Sequence, residues 1–326
     1  NVIMIIDAMS RWVKLFFLIT LSFVLVTACH QSDSQQSRVL SESANNLEAC
    51  RNVQHSLGEA CIPFHPQKVV ILDEFYLLDS LSALGIKPVG YTPCLVCTSS
   101  DVLSEYVSDV PALGDMEAPS LEKIISLKPD LILGLEWQEQ SYSLLSEIAP
   151  TIMIEDPETS GFRKTFEYLA EILNKHDQSG EILATYDEKI EEFKRQFSQK
   201  LKDEEISVVG VDGSSFYANK IGTTILSQIM VDAEIPFSSA QKSVENNGYQ
   251  YFSIETLPDW DADFLFVLQN YERHAEDLES MMEHPIWSTL SAVQNGRVHP
   301  VVLDVWGPLT SIQFVDDLSQ YFTEAL

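Results

Sequence analysis

Residues 68–91 read KVVILDEFYLLDSLSALGIKPVGY, and this stretch decides the fold class. Lys68–Leu72 is a short β-branched run, as expected of a strand buried on both faces. After Asp73-Glu74, Leu77, Leu78, Leu81 and Leu84 recur at i, i+1, i+4 and i+7, which predicts a helix. Gly85 stops that helix and Ile86–Tyr91 opens a second strand. Strand, helix and strand in so short a span make a βαβ unit, the building block of a parallel sheet.

The same style continues outward. Ser120–Leu127 reads as a helix with Ser120 as N-cap, Lys128-Pro129-Asp130 breaks it, and Leu131–Leu135 is a buried strand. Leu144–Ile148 leads through Ala149-Pro150 to a strand at Thr151–Ile154. Two helices come next in succession. Phe162, Phe166, Leu169, Ala170 and Leu173 mark the first. Ile182, Leu183, Tyr186, Ile190, Phe193, Phe197 and Leu201 mark a longer second one, with Glu191 and Arg195 paired on its outer face. The alternation then resumes with strands at Ile206–Val211, Phe264–Leu268 and Val298–Val302. A helix is expected at Thr223–Ala233 and a closing one at Leu309–Leu326. Strands alternating with helices imply mostly parallel sheets covered on both faces. No Gly/Pro-rich linker separates the halves, so their relative motion should be small.

The chain has 326 residues, 49 acidic against 20 basic, with a formal net charge of −29. Length and apolar content suit two domains. The charge excludes proteins that grip phosphate backbones, since that work rests on Lys and Arg. It also disfavours anionic membrane surfaces.

Near the start, Trp12–Ala28 holds an apolar run, Leu15–Val26, too short to span a bilayer and suited to a signal peptide, with Met9 as a natural start. Val26-Thr27-Ala28-Cys29 resembles a bacterial lipobox, in which Cys29 receives the lipid. Residues 1–28 are thus expected to be removed. Residues 29–47, rich in Ser, Gln and Asn, should form a lipidated flexible tether. Five cysteines are an odd count; taking Cys29 away leaves Cys50, Cys61, Cys94 and Cys97, an even set in an oxidising compartment. Cys50 and Cys61 bracket a short loop whose closure would staple the entry to the first domain. Cys94-Leu95-Val96-Cys97 has the spacing of a redox or zinc half-site or of a small local disulfide.

The chain carries no G-x-G-x-x-G, Walker loop, H-E-x-x-H or G-x-S-x-G. Paired carboxylates carry little weight in so acidic a chain, and the seven histidines are scattered. No catalytic residues and no metal site are expected.

Several phrases share a family pattern: Lys68–Leu72 with Leu81–Gly90; Pro119–Ile124 running into Leu127–Ile132; Ile148–Thr151; Ser253–Leu257; and His284–Trp287 with Leu290–Val298. In that order they resemble the substrate-binding proteins of bacterial ABC importers for ferric siderophores, ferric citrate, haem and cobalamin. Cys50–Cys61, with His55 and Gly58-Glu59, looks most like the iron-siderophore branch.

The resemblance implies two three-layer α/β lobes joined by one rigid helix, with the ligand in the cleft between them. Residues 48–160 would be the first lobe, 161–175 the connecting helix and 176–326 the second lobe. It implies a monomeric binding protein without cofactor, not an enzyme. Such a protein captures an iron(III) chelate in the periplasm or cell envelope and delivers it to a dimeric membrane permease. Loops at the C-terminal ends of the strands should then offer Phe75, Tyr76, Tyr91, Thr92, Glu117, Glu136 and Trp137 from one lobe. The other should offer Ser214–Tyr217 with Phe216, Asn246–Tyr249, Asn270, Tyr271, Arg273 and Trp306. Aromatics suit a bulky chelate because they give rigid contact area. Glu122 and Glu255 stand where family members dock to permease arginines.

Relatives that bind anionic chelates hold them with cleft arginines, whereas this chain has Gly210 and Asp212 at one such place. Arg273 is the best remaining cation, with Lys220 and Lys242 behind it. The expected ligand is therefore a neutral or cationic chelate such as a hydroxamate. Cobalamin and haem are rivals within the family, and a thiol-active envelope enzyme built on Cys94 and Cys97 is one outside it.

Overall fold

The computed structural model describes residues 50–95, 100–269, 272–302 and 304–326, without the side chains of 272–275. The leader, Cys29, the tether, Cys97, Asn270 and Tyr271 lie outside the described residues. Strands β3 (Val69–Ile71), β4 (Gly90–Tyr91), β5 (Leu131–Leu135) and β6 (Thr151–Ile154) form a four-stranded sheet ordered β4-β3-β5-β6. All of its pairings are parallel. β3, β5 and β6 are buried at every residue, as continuous apolar runs covered on both faces must be. The second sheet has β7 (Ile206–Asp212), β8 (Ser215–Ala218), β9 (Gln250–Ser253), β10 (Phe264–Gln269) and β11 (Val298–Val302), ordered β11-β10-β7-β8-β9. Here β7, β10 and β11 run parallel, while β8 is antiparallel to β7 and to β9.

The principal helices are α1 (Tyr76–Ala83), α2 (Leu121–Leu127), α3 (Phe162–Leu173), α4 (His176–Leu201), α5 (Ile225–Asp232) and α6 (Pro308–Ala325). Ser120 caps α2 as expected, accepting from the Lys123 amide. α4, 26 residues and therefore about 39 Å long, buries Leu183, Tyr186, Ile190, Phe193, Phe197 and Leu201 along one stripe. Phe193 and Phe197 meet Phe322 of α6 with ring centroids 5.9 Å apart. Thus α6 packs on α4 and also on α1, so the last helix touches elements from both sheets.

Three local details depart from the sequence reading, and the expected Cys50–Cys61 bridge is present. The strand expected at 86–91 shrinks to Gly90–Tyr91, because Pro88 brings no N–H to a ladder. Residues 50–63 are not a loop but two strands, β1 (Cys50–His55) and β2 (Gly58–Pro63), forming their own two-stranded sheet. Cys50 and Cys61 are joined in a disulfide, and Cys94 is also disulfide-bonded. On α4, Arg195 pairs with Glu192, and Glu191 pairs with Lys194, so the expected Glu191–Arg195 pair is replaced by two i, i+3 pairs.

Candidate functional site

In open parallel sheets, ligands bind outside the C-terminal strand ends where the chain reverses its direction of winding. In the first sheet the chain moves from β3 to β4 on one side and then to β5 on the other, so the crevice opens beyond β3 and β5. The residues there are Asp73–Tyr76 and Glu136-Trp137. In the second sheet the reversal falls between β7 and β10, beyond Asp212 and Gln269.

Aromatic rings from both sheets meet beyond the first of these reversals. Trp306, shortly after β11, stacks on Phe75 at a centroid distance of 4.4 Å and meets Tyr76 edge-on at 5.3 Å. The indole Nε1–H donates to Asp304 Oδ1 at 2.9 Å, and the Ser100 hydroxyl donates to Asp304 Oδ2 at 2.8 Å. The Tyr76 hydroxyl donates to Glu158 Oε1 at 3.1 Å, while the amide of Ile225, the first residue of α5, donates to Glu158 Oε2 at 3.2 Å. One carboxylate therefore ties the first lobe's ring to a helix N-terminus of the second lobe, where an anion is favoured.

Carboxyls dominate the electrostatics. Asp73 is fully buried, and its Oδ1 accepts the Phe75 and Leu77 amides, which does the work of an N-cap for α1. Burial lifts its carboxyl to about 7, against those bonds. Its Oδ2 has no hydrogen-bond partner, nor does the buried Thr92 hydroxyl on the neighbouring strand end. Burial likewise lifts Glu158 to about 7 and raises Glu74 and Asp304. Glu74 accepts the Cys94 amide at 2.9 Å. It also adds to the burial that raises the Tyr91 phenol. Basic side chains with acidic partners lie elsewhere, as in Lys87–Asp109, Arg163–Asp187, Lys164–Glu155 and Arg297–Glu204. Among the described residues no group of three or more His, Cys, Asp or Glu is placed to hold a metal ion.

The other candidates fall into separate places. Tyr91 is half-buried beside Glu74, and Trp137 is 45% exposed beyond β5. Tyr249 is 53% exposed and meets buried Tyr217 edge-on at 5.0 Å. Tyr217 fills the space over Gly210, where an added Cβ would lie 1.9 Å from its ring. The side-chain space at this strand position is thus already taken by a tyrosine. Phe216 lies on the opposite face of β8, fully buried between Phe252 and Trp260. It has no surface to offer a ligand, and the alternation along β8 is the reason. Arg273 lies in the helix Glu272–Met282, and its side chain is outside the described residues. Glu122 and Glu255 are both exposed, the first in the opening turn of α2 and the second in the 3₁₀ turn Ile254–Trp260 after β9. A cavity of about 770 Å³ between His55, Met153, Tyr168 and Leu183 shares no residue with the ring cluster.

Asp79, Ser100, Glu158 and Asp304 were not legible as site residues. Each is one acid or hydroxyl among many, and only long-range hydrogen bonds single it out. Tyr251, 56% exposed beside Tyr217, escaped because β8 and β9 are too short to show a period.

The arrangement has relatives among known proteins. The model of the family described as "Periplasmic binding protein" matches residues 69–300. The probable siderophore-binding lipoprotein YfiY of Bacillus subtilis is 28% identical over 96% of this chain and 99% of its own length. The Fe(3+)-citrate-binding protein YfmC of the same organism is 30% identical, with 91% of each chain covered. Among solved structures, Staphylococcus aureus SirA complexed with staphyloferrin B superposes with a TM-score of 0.71 at 26% identity, covering 84% of this chain and 98% of that one.

Proposed function

Because the chain belongs to the periplasmic binding protein family, we propose that it captures a ferric siderophore or related iron(III) chelate at the cell envelope and hands it to the permease of an ABC importer. The observation that carries this reading is the seating of Trp306, which follows β11 of the second sheet, against Phe75 and Tyr76, beyond the winding reversal of the first sheet. That arrangement is an aromatic wall for a bulky, flat-faced ligand. Tyr76, Tyr91, Trp137, Tyr249 and Trp306 are the proposed contacts, and Tyr271 and Arg273 are proposed from the sequence alone. Glu74, Glu158 and Asp304 border the rings, which favours a neutral or cationic chelate, such as a hydroxamate, over a trianionic one.

The chain acts as a monomer tethered through lipid on Cys29, and residues 161–175 link the lobes. Exposed Glu122 and Glu255 face the permease. Reversing both charges abolishes uptake and leaves ligand affinity unchanged; a loss of affinity would reject this docking role. The primary test is tryptophan fluorescence of the purified protein titrated with ferric hydroxamates, ferric catecholates, ferric citrate, haem and cobalamin. Submicromolar quenching by one ferric chelate is expected, and silence towards all of them would end the reading.

A further inference from the structure

Trp306 is a proposed ligand contact whose backbone N–H and indole N–H are both bonded and whose ring is packed by Phe75 and Tyr76. Its backbone N–H donates to Thr310 Oγ1 at 2.7 Å, and the Gly307 N–H donates to the same oxygen at 3.2 Å. The Thr310 hydroxyl in turn donates to Asp79 Oδ2 at 2.6 Å. Asp79 also accepts the Leu309 amide on Oδ1 at 2.8 Å and the Thr310 amide on Oδ2 at 3.0 Å. Asp79 belongs to α1, the helix that opens with Tyr76 directly after Phe75. Residues three and four apart share a helix face, so α1 presents two rings to the indole and a carboxylate to the turn that carries it. The fit is close: a Cβ on Gly307 would come within 2.8 Å of the Asp79 carboxyl carbon.

We infer that Asp79 is a positioning residue for ligand binding, which acts through the Thr310 hydroxyl to hold the 306–310 turn, and with it the Trp306 ring, in its ligand-receiving orientation before any ligand arrives. This rests on the proposed function only in taking Trp306 as a ligand contact. A wall that is already ordered does not lose conformational freedom on binding, and that raises affinity without a new contact. The carboxylate belongs to one lobe and the tryptophan to the other, so the relay also matches the position of the second lobe's ring to the first lobe's helix.

The test avoids Asp79, whose removal would strand three donors in the core, and changes Thr310. Thr310→Val keeps the shape and removes the hydroxyl, and Thr310→Ser keeps the hydroxyl. Trp306→Phe identifies the Trp306 indole N–H resonance in ¹⁵N-labelled, ligand-free protein. In Thr310→Val that resonance should shift or broaden and chelate affinity should fall about tenfold, while Thr310→Ser should match the wild type in both. In a Trp306→Phe background, Thr310→Val should cost little further affinity, because the two changes act on one ring. An unmoved indole resonance in Thr310→Val, or an affinity loss that adds in full to that of Trp306→Phe, overturns the inference. If Thr310→Val does not fold, Thr310→Ala in the same two measurements decides it. If the wild type binds no chelate, the functional reading fails, and the ligand-free indole comparison still decides the positioning role.

Discussion

Two aromatic clusters of the molecule differ in how deeply they are buried. Phe75, Tyr76 and Trp306 form a wall in which the Tyr76 hydroxyl and the Trp306 indole N–H are both bonded and Phe75 is 4% exposed. Tyr249 and Tyr251, at the end of the second sheet, are more than half exposed and stand around Tyr217. Burial and bonded partners fix the first group of rings, whereas the second presents its rings to solvent. The contrast teaches that rings shared between the two lobes are held by partners from both, whereas rings supplied by one lobe alone can stand in solvent.

Removing the lock should be the most damaging change. Asp79→Ala leaves the Leu309 and Thr310 amides without an acceptor and the Thr310 hydroxyl with only the Gly307 carbonyl at 3.4 Å, and buried unsatisfied donors cost about 1–3 kcal/mol each. Urea denaturation should show a loss on the order of 3 kcal/mol or more, and a loss below about 1 kcal/mol would mean that the lock is not structural. Next comes Gly210→Ala, whose methyl would enter the Tyr217 ring. It should cost about 1–3 kcal/mol, and Tyr217→Ala in the same chain should recover part of it. Recovery ties the clash to that ring, and none would separate the exposed tyrosine cluster from Gly210.

On ligand affinity the contrast should be direct. Trp306→Ala is expected to lose about 2 kcal/mol, roughly thirtyfold in Kd, as a buried aromatic anchor would. Tyr249→Ala should lose about 0.5–1 kcal/mol. Equal losses, measured by the same fluorescence titration or by calorimetry, would dissolve the distinction between walls.

The smallest effect is on pH dependence. Asp73 and Glu158 at about 7 and Asp79 at about 6 lie above the ordinary carboxylate range because of burial. The folded state therefore holds protons that the unfolded chain releases, so stability is greatest in mild acid and declines as pH rises through the folded values. Glu158→Gln removes one such proton and should flatten the decline in urea midpoint between about pH 5 and pH 7. An unchanged slope would show that Glu158 is charged throughout.

Much of this was legible in one dimension. The leucines of Leu77–Leu84 and the apolar runs at 131–135, 151–154 and 264–268 state their structures because burial on both faces leaves one residue class. Trp306 and Tyr76 were legible as candidates because α/β folds expose the residues that come just after their strand ends. Phe216 was not separable from Tyr217, since a one-residue change of face reverses burial and the register of so short a strand is set by its neighbours. The carboxylates Asp79, Glu158 and Asp304 were hidden among 49 acids, and the Asp79–Thr310 bond spans 231 positions. Local pattern carries no record of such a partner.

That separation has a bearing on biogenesis. The Trp306 turn is held by a helix made far earlier, and α6 must lie against α1 and α4 before the ring cluster exists. A chain still short of residue 310 lacks the Thr310 hydroxyl that accepts the Trp306 and Gly307 amides, so the ring wall cannot be held until nearly the whole chain is made. Contacts this distant in sequence also form late and slowly, so the ring wall is among the last parts of the fold to be completed.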